Sequence, residues 1–296
     1  MHNKDLPLLG KAALVTGVSR RRGIGYAVAR KLASLGASVF IHHYRPHDLD
    51  LPWGGDDLDA VRDGIRSALA PQAVMGDLGA DLMQDASIAT LLDAASALTG
   101  SLDILVCNHA KSGDDGGILD MTPERLDAFW STNTRSTLLL TAEFARRKAD
   151  AAAGQRRQGD EPRRPGERVE RTPFAAPVGR VFWMTSGQIH GPMRGEVAYA
   201  TSKAALAGVT ATVAAELLET GIVLNTINPG PVNTGYLDAD TTDRPLEGLT
   251  EVIAGTPFGR FGRPEDPAEL IGWLATDAGA WVVGQVITSD GGFSLV

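Results

Sequence analysis

The sequence predicts an α/β fold in which a doubly wound parallel sheet carries helices on both faces. Short β-branched runs alternate along the chain with longer, alanine-rich segments of helical pattern. The strand candidates are continuously apolar rather than alternating, which is typical of strands covered on both sides. The length of 296 residues suits one large domain, and we expect a single domain over 1–296.

The alternation fixes the order of the elements. Strands are expected at 12–15, 38–41, 72–75, 104–107, 181–184, 222–227 and 285–288. Helices are expected at 24–35, 57–70, 85–98, 123–148, 200–218 and 264–275. Crossovers between such strands are expected to be right-handed.

Two segments interrupt this alternation. Residues 150–177 are rich in Arg, Glu, Gly and Pro, so we expect an exposed, mobile insertion, with an ordered arm at an oligomer interface as the alternative. Residues 231–263 mix Gly, Pro, Thr and acids with a few large apolar side chains. They follow a strand, and we expect a substrate lid with one or two short helices there.

Composition argues against several classes of protein. A formal net charge of −8 disfavours a nucleic-acid surface. The single cysteine, Cys107, excludes an internal disulfide and a cysteine-rich zinc site, and we expect no metal. The first ten residues lack the apolar core of a signal peptide, and the uncharged run 204–215 is too short to span a bilayer. We expect a cytoplasmic protein that binds neither membrane nor nucleic acid.

A glycine-rich turn, TGVSRRRGIG at 16–25, joins the first strand to the first helix. In this setting backbone N–H groups and the helix N-terminus can face a pyrophosphate. Glycines at 17 and 23 remove the Cβ atoms that would keep a phosphate away, and Gly25 allows the helix to pack closely on the sheet. Taken alone, the turn is equally well a simple loop.

Polar residues close the third and fourth predicted strands. Asp77, followed by Leu78, offers an acceptor for the amino group of an adenine, and a turn or helix-capping role is the alternative. Asn108 can hold backbone across a cofactor crevice or simply make a turn.

The end of the second strand bears on which dinucleotide is bound. An acid there would accept the ribose hydroxyls of NAD and repel a 2′-phosphate. The sequence has His42-His43-Tyr44-Arg45 instead, with Arg20, Arg21 and Arg22 in the adjacent turn. Because arginine suits phosphate, NADP (NADPH) is favoured over NAD. The alternative is that these arginines are solvated surface charges.

Tyr199 and Lys203 are the central pair of the sequence. Four residues apart on a helix, they share a face and can point into one crevice. A nearby ammonium favours the ionised phenol, which brings its pKa toward the range of proton exchange with a substrate oxygen. Ser186, thirteen residues earlier at a strand end, can bond the same oxygen. Asn133 lies in a helical pattern where asparagine is a mediocre choice, which suggests a kink that holds a water.

In this order the motifs resemble the classical short-chain dehydrogenase/reductase family, with 3-oxoacyl-[acyl-carrier-protein] reductase-like members the most similar. The resemblance runs from the glycine-rich turn to GQVITSDGG at 284–292 and includes NPGPVNT at 228–234. It implies a Rossmann-type, seven-stranded sheet and a homotetramer or homodimer that acts on a small carbonyl or alcohol. The implied catalytic residues are Asn133, Ser186, Tyr199 and Lys203. The implied cofactor contacts are Gly17, Ser19, Arg22, Gly23, Ile24, Gly25, Arg45, Asp77, Leu78, Asn108, Tyr199, Lys203, Pro229, Gly230, Val232 and Thr234.

The chain departs from the family pattern in three places. Five residues separate Gly17 from Gly23, so the turn must bulge. The usual Asn-Asn-Ala-Gly is replaced by Cys107-Asn108-His109-Ala110, and the insertion at 150–177 is extra. His109 and His190 are expected to be wall or surface residues.

Other functions stay open on the same fold. An enoyl-thioester reductase would carry its tyrosine seven residues before the lysine, where this chain has Glu196. A catalytically silent, NADP-sensing regulator is the alternative outside enzymology. The substrate is expected to be a 3-oxoacyl-type ketone, with sugar, steroid or polyketide alcohols as alternatives. The residues expected to form its apolar pocket, or alternatively the core, are Trp183, Met193, Tyr236, Leu237 and Phe258.

Overall fold

A computed structural model of the chain describes residues 6–153, 173–242, 246 and 248–295. Its strands are β1 (Ala12–Val15), β2 (Ser38–His43), β3 (Met75–Gly79), β4 (Ile104–Cys107), β5 (Gly179–Met184), β6 (Ile222–Asn228) and β7 (Val286–Thr288). They form one seven-stranded sheet in the order β3-β2-β1-β4-β5-β6-β7, and every pairing is parallel. The predicted fold class is confirmed.

Helices connect the strands. They are α1 (Ile24–Ser34), α2 (Arg45–Leu49), α3 (Leu58–Arg66), α4 (Asp85–Thr99), α5 (Pro123–Phe129), α6 (Ser136–Ala153), α7 (Val197–Leu218), α8 (Leu249–Gly255) and α9 (Glu265–Ala275). A π-helix at Trp130–Arg135 joins α5 to α6. None of the helices in the described part of the chain has the length and apolarity needed to cross a bilayer.

The helices cover the sheet from both sides, which gives two hydrophobic cores. Side chains of α1, α3 and α9 form one core, with Leu32, Ile65 and Ile271 fully buried. Side chains of α4, α6 and α7 form the other, which includes Leu91 and Leu140. Burial on both faces explains why the strand candidates read as continuous apolar runs.

The third strand differs from its prediction. It was expected at 72–75 but runs over Met75–Gly79, because β2 pairs it in the register Val39↔Met75 to His43↔Gly79. Gly76 permits this pairing, since a Cβ there would lie 2.9 Å from the Phe40 ring. The apolar Val74, on which the prediction depended, is 43% exposed at the sheet edge.

Two helix predictions also need correction. The single helix expected at 123–148 is divided by the π-helix, and α7 begins at Val197 rather than at 200. The earlier start of α7 follows from a carboxylate cap by Asp115, described below. Within 231–263, α8 agrees with the expected short helix. Most of the predicted insertion (residues 154–172), and residues 243–245 and 247 of the predicted lid, lie outside the described residues.

The strand order reverses between β1 and β4. The chain crosses from β1 to β2 on one side of this point and from β4 to β5 on the other. In doubly wound sheets, ligands bind in the crevice beyond the carboxyl ends of the strands at such a switch point. The candidate site lies there.

Candidate active site

A crevice of about 440 Å³ opens at the carboxyl ends of the central strands. This volume falls in the ordinary range of small-molecule sites. The predicted site residues that line it are Gly17, Ser19, Gly23, Ile24, Asn108, Ser186, Tyr199, Lys203, Pro229, Gly230, Val232 and Thr234. The fold thus brings both predicted halves of the site, separated by more than half of the chain, into one cavity.

The glycine-rich turn forms one end of the crevice. Gly17 has φ +73°, and a Cβ there would lie 2.7 Å from the His109 Cα. Gly23 is the N-cap of α1, and its N–H closes the lengthened turn by donating to the Arg20 carbonyl at 3.0 Å. The N-terminus of α1 therefore meets the crevice beside a glycine-lined wall, an arrangement that fits a pyrophosphate.

Gly25 supports this turn from behind rather than lining the crevice. A Cβ at Gly25 would lie 2.5 Å from the Gly17 carbonyl oxygen and 2.6 Å from Asn108 Nδ2. Asn108 Nδ2 donates to the carbonyls of Thr16 and Gly17, each at 3.1 Å. The asparagine thus fixes the turn across the crevice.

Two of the arginines expected to contact the cofactor do not lie on the crevice wall. Arg22 pairs with Asp238 at 2.6 Å and does not line the crevice, and neither does Arg45. Among the described residues, the arginine that lines the crevice is Arg20, whose Nη1 donates to the Thr234 carbonyl at 2.8 Å and whose Nε lies 3.2 Å from Asp48. Burial lowers the pKa of Arg20, and Asp48 opposes that effect.

Asp77 and Leu78, which were predicted to contact the adenine, do not line the crevice either. Asp77 lies within β3, where its carboxylate accepts two hydrogen bonds from Arg62, at 3.0 and 2.7 Å. These donors, with His43, hold its pKa below the usual range although burial opposes them. The crevice is lined instead by Asp81 and Leu82, just beyond the end of β3.

Two buried histidines stand behind the glycine-rich turn. His42 accepts from the Gly17 N–H at 3.4 Å, and burial lowers its pKa to about 4. His109 bonds Thr16 Oγ1 at 2.6 Å and Ser136 Oγ at 2.7 Å, and burial lowers its pKa well below 6.5. Both imidazoles are neutral at physiological pH and line the crevice, so His109 is a wall residue. His190 is exposed and bonds Thr288 Oγ1 at 2.8 Å.

Tyr199 and Lys203 lie on the first two turns of α7, facing the crevice near Ser186. The Lys203 Nζ lies 5.7 Å from the Tyr199 ring centre and donates to the Met184 carbonyl at 3.0 Å. Burial lowers the pKa of Lys203 from 10.5 to about 8. Ser186 follows β5 at the rim, with its Oγ 3.9 Å from the Met193 sulfur.

Asp115 caps α7, although sequence reasoning did not single it out. Its carboxylate accepts hydrogen bonds from the backbone N–H groups of Ala198 (3.1 Å) and Tyr199 (2.7 Å). The N-cap residue of α7, Glu196, provides no side-chain cap itself. A carboxylate from the loop after β4 therefore holds the start of α7 at Tyr199.

Asn133 lies in the π-helix and does not line the crevice. Its side chain bonds the backbone of Lys111 twice, with Oδ1 accepting at 2.6 Å and Nδ2 donating at 3.1 Å. Nδ2 also donates to Ser202 Oγ at 2.9 Å. A π-turn is the kind of helix interruption that the unfavourable asparagine suggested, and such turns are frequent at functional sites.

The predicted apolar pocket is only partly formed. Met193 and Tyr236 line the crevice. Trp183 is fully buried in the core, where its indole donates to Thr141, and Leu237 is buried too. Phe258 is 65% exposed outside the crevice. Several residues that line the crevice were not predicted from the sequence. Most of them belong to the segment 46–53, which includes His47, Asp48 and Trp53, and another is Lys111 after β4.

Comparisons with known proteins bear on this site. A family model described as enoyl-(acyl carrier protein) reductase matches residues 17–155 and 168–294. An uncharacterized oxidoreductase of Bacillus subtilis is 34% identical over 287 residues, covering 96% of each chain. An NADPH-dependent aldehyde reductase-like protein of Arabidopsis thaliana is 34% identical over 294 residues, covering 97% of this chain and 96% of the relative. A short-chain dehydrogenase of Burkholderia cenocepacia, solved in complex with NADP, superposes with a TM-score of 0.72 at 27% identity over 97% of this chain and 99% of its own.

Proposed function

Because the chain belongs to the short-chain dehydrogenase/reductase family and is therefore an oxidoreductase, we propose that it interconverts a carbonyl and an alcohol with NADP as cofactor. The observation that carries the proposal is the placement of Tyr199 and Lys203, one helical turn apart, on the wall of a crevice whose other end is a glycine-lined phosphate cradle. The description of the matched family model names an enoyl reductase. At the tyrosine position of that reaction this chain has Glu196, which favours carbonyl chemistry.

The crevice fits a dinucleotide. The N–H groups at Ser19 and Ile24 would hold the pyrophosphate beside Gly23, Asp81 and Leu82 the adenine, and Lys203 the nicotinamide ribose. Pro229, Gly230, Val232 and Thr234 would lie along the nicotinamide end. When bound, the cofactor supplies or accepts the hydride.

The chain's own residues handle the proton. In reduction, the Tyr199 phenol gives its proton to the substrate oxygen while the Ser186 hydroxyl holds that oxygen by a hydrogen bond. The ammonium of Lys203 favours the phenolate that results, because it is buried beside the ring where solvent screens it little. Asn133 fixes the loop after β4 and, as the π-turn suggests, supports a water that returns a proton toward Lys203.

The preference for NADP over NAD rests on charge at the adenosine end. The strand β2 is followed by Tyr44 rather than by an acid, and Arg20 lies in the crevice wall. Asp48 lines the same region and pairs with Arg20, so the support for NADP comes mainly from Tyr44 standing where an acid would follow β2. The names of the Arabidopsis relative and of the Burkholderia complex favour the same cofactor.

For the substrate we propose a 3-oxoacyl-type ketone, with aldehydes, sugars, steroids and polyketide alcohols as the other members of the panel. Ser186, Met193, Glu196 and Tyr236 provide a mixed polar and apolar mouth. We also propose a homotetramer or homodimer that works in the cytoplasm. The side chains of Trp281 and Leu295, 97% and 87% exposed near the edge strand β7, support an oligomer.

The test is oxidation of NADPH and NADH, followed by absorbance, with this panel of ketones and aldehydes. Tyr199→Phe is expected to abolish turnover and leave NADPH affinity nearly unchanged, because only the transferable proton is lost. Lys203→Ala is expected to reduce both turnover and NADPH affinity. Substantial activity in Tyr199→Phe would refute the assignment, and tight NADPH binding without any turnover in the wild type would favour a sensor of the cofactor.

A further inference from the structure

Lys111 lines the crevice in the loop after β4, close to the reacting phenol. Its Nζ lies 5.2 Å from the centre of the Phe129 ring, and that ring packs edge-to-face on Tyr199 with centres 6.4 Å apart. These two distances place the ammonium within about 12 Å of the Tyr199 ring centre. Because Asn133 bonds both the N–H and the carbonyl of Lys111, the lysine backbone is fixed at this place.

The other cations that the described residues place on the crevice wall already have partners. Arg20 pairs with Asp48 and donates to the Thr234 carbonyl, and Lys203 donates to the Met184 carbonyl beside Tyr199. Lys111 has no carboxylate within 4 Å among residues 6–153, 173–242, 246 and 248–295, and its Nζ contact there is the face of Phe129. An aromatic face contacts an ammonium from one side only, so the other N–H donors of the ammonium stay available to a ligand.

The neighbouring groups also favour an anion. His47 lines the crevice, and its Nε2 lies 3.5 Å from the N–H of Ser112, the residue after Lys111. Burial lowers the pKa of His47; the charge of Asp48 opposes that effect, and the charge of Lys111 adds to it. Within the described part of the chain, Lys111 is therefore an ammonium without a carboxylate partner at this rim, and the imidazole of His47 and the hydroxyl of Ser112 lie on the same wall of the crevice.

We propose that Lys111 binds an anionic group of the substrate, a carboxylate or a phosphate monoester on the same molecule as the reacting carbonyl. The proposal rests on the oxidoreductase function of Tyr199 and narrows its substrates to anionic aldehydes and ketones. The anion forms a charge-assisted hydrogen bond with Nζ, which orients the carbonyl toward Ser186 and Tyr199.

The experiment compares kcat/KM with NADPH for matched carbonyl pairs. One pair is 4-carboxybenzaldehyde and methyl 4-formylbenzoate, and the other is glyceraldehyde 3-phosphate and glyceraldehyde. The wild type is expected to prefer the anionic member of at least one pair by tenfold or more, and the pair with the larger ratio shows whether carboxylate or phosphate is bound. In Lys111→Met the ratio is expected to fall about tenfold, mainly through KM. Lys111→Arg is expected to recover part of it.

Lys11→Met is the matched control, because Lys11 precedes β1 at the amino ends of the strands, away from the crevice at their carboxyl ends, and its side chain is 46% exposed. It is expected to keep the wild-type ratio. Equal kcat/KM for both members of each pair, or a ratio unchanged in Lys111→Met, would overturn the anion site while leaving hydride transfer established. Absence of turnover with every carbonyl of the wider panel would overturn the proposed function and the anion site with it.

Discussion

Replacing Lys203 by methionine is expected to inactivate the protein and at the same time to stabilise its fold. Lys203 is 2% exposed, and burial lowers its pKa from 10.5 to about 8. A tenfold change in a protonation equilibrium is worth about 1.4 kcal/mol, so the charged ammonium at pH 7 costs the folded state about 3 kcal/mol relative to the unfolded chain. Loss of the hydrogen bond to the Met184 carbonyl offsets about 1 kcal/mol. The net gain at pH 7 is therefore about 2 kcal/mol.

The gain depends on pH in a defined direction. Between pH 8 and 10.5 the unfolded chain keeps the lysine proton while the folded chain has lost it, so the contribution of Lys203 to stability rises with pH. Methionine has no such titration. The free energies of unfolding of variant and wild type are therefore expected to converge near pH 10.

The assay is urea unfolding of the ligand-free proteins, followed by tryptophan fluorescence at pH 7 and pH 10. Lys11→Met, which removes an exposed ammonium, is the control and is expected to change stability by less than about 0.5 kcal/mol. A Lys203→Met variant that is less stable than the wild type at pH 7 would contradict the reasoning. A stability difference that is equal at both pH values would do the same, because it would show that burial does not alter the Lys203 equilibrium.

Two further substitutions test the parts that position the site. Gly25→Ala puts a Cβ 2.5 Å from the Gly17 carbonyl oxygen, so the backbone must shift. The shift is expected to lower the free energy of unfolding in urea by about 1–3 kcal/mol and to weaken NADPH binding measured by fluorescence. Unchanged NADPH affinity would show that the turn does not bind the cofactor. Asp115→Ala removes the cap at Tyr199 and is expected to destabilise the protein by about 1–2 kcal/mol. It is also expected to lower kcat by a larger factor than it changes the KM for NADPH. Asp114→Asn, at a neighbouring carboxylate whose side chain is 81% exposed, serves as its control, and equal kcat in Asp115→Ala and Asp114→Asn would argue against a positioning role.

The sequence predicted the sheet well where burial is symmetrical. β1 and β4 were predicted to the residue, because central strands covered on both faces are continuously apolar. β3 was misplaced, because it lies at the sheet edge and none of its five residues is fully buried. The position of β3 depends on its pairing with β2, and the local sequence pattern of β3 holds no information about that pairing.

The misplacement of β3 also bears on the predicted adenine contact. The chain holds two Asp-Leu pairs four residues apart, Asp77-Leu78 and Asp81-Leu82, and only the strand end distinguishes them. Since β3 ends at Gly79, the second pair reaches the crevice and the first is left for Arg62. The length of the strand was thus the missing signal.

The ion pairs of the arginine-rich turn were beyond sequence reasoning for a different reason. Arg20, Arg21 and Arg22 find carboxylates that lie 28, 35 and 216 residues further on, at Asp48, Asp56 and Asp238. Such remote partners follow from tertiary structure alone. By contrast, the spacing of Tyr199 and Lys203 is local to one helix, and the fold places both on the crevice wall as predicted.

The hydrogen bonds from Asn108 to the glycine-rich turn have a consequence for folding of the nascent chain on the ribosome. A nascent chain that has emerged only as far as β2 already contains every glycine of the turn, yet it lacks the residue that holds Thr16 and Gly17 from 92 and 91 positions away. We therefore expect dinucleotide to be unable to guide the earliest stages of folding, and to be captured only after the fourth strand has docked beside the first.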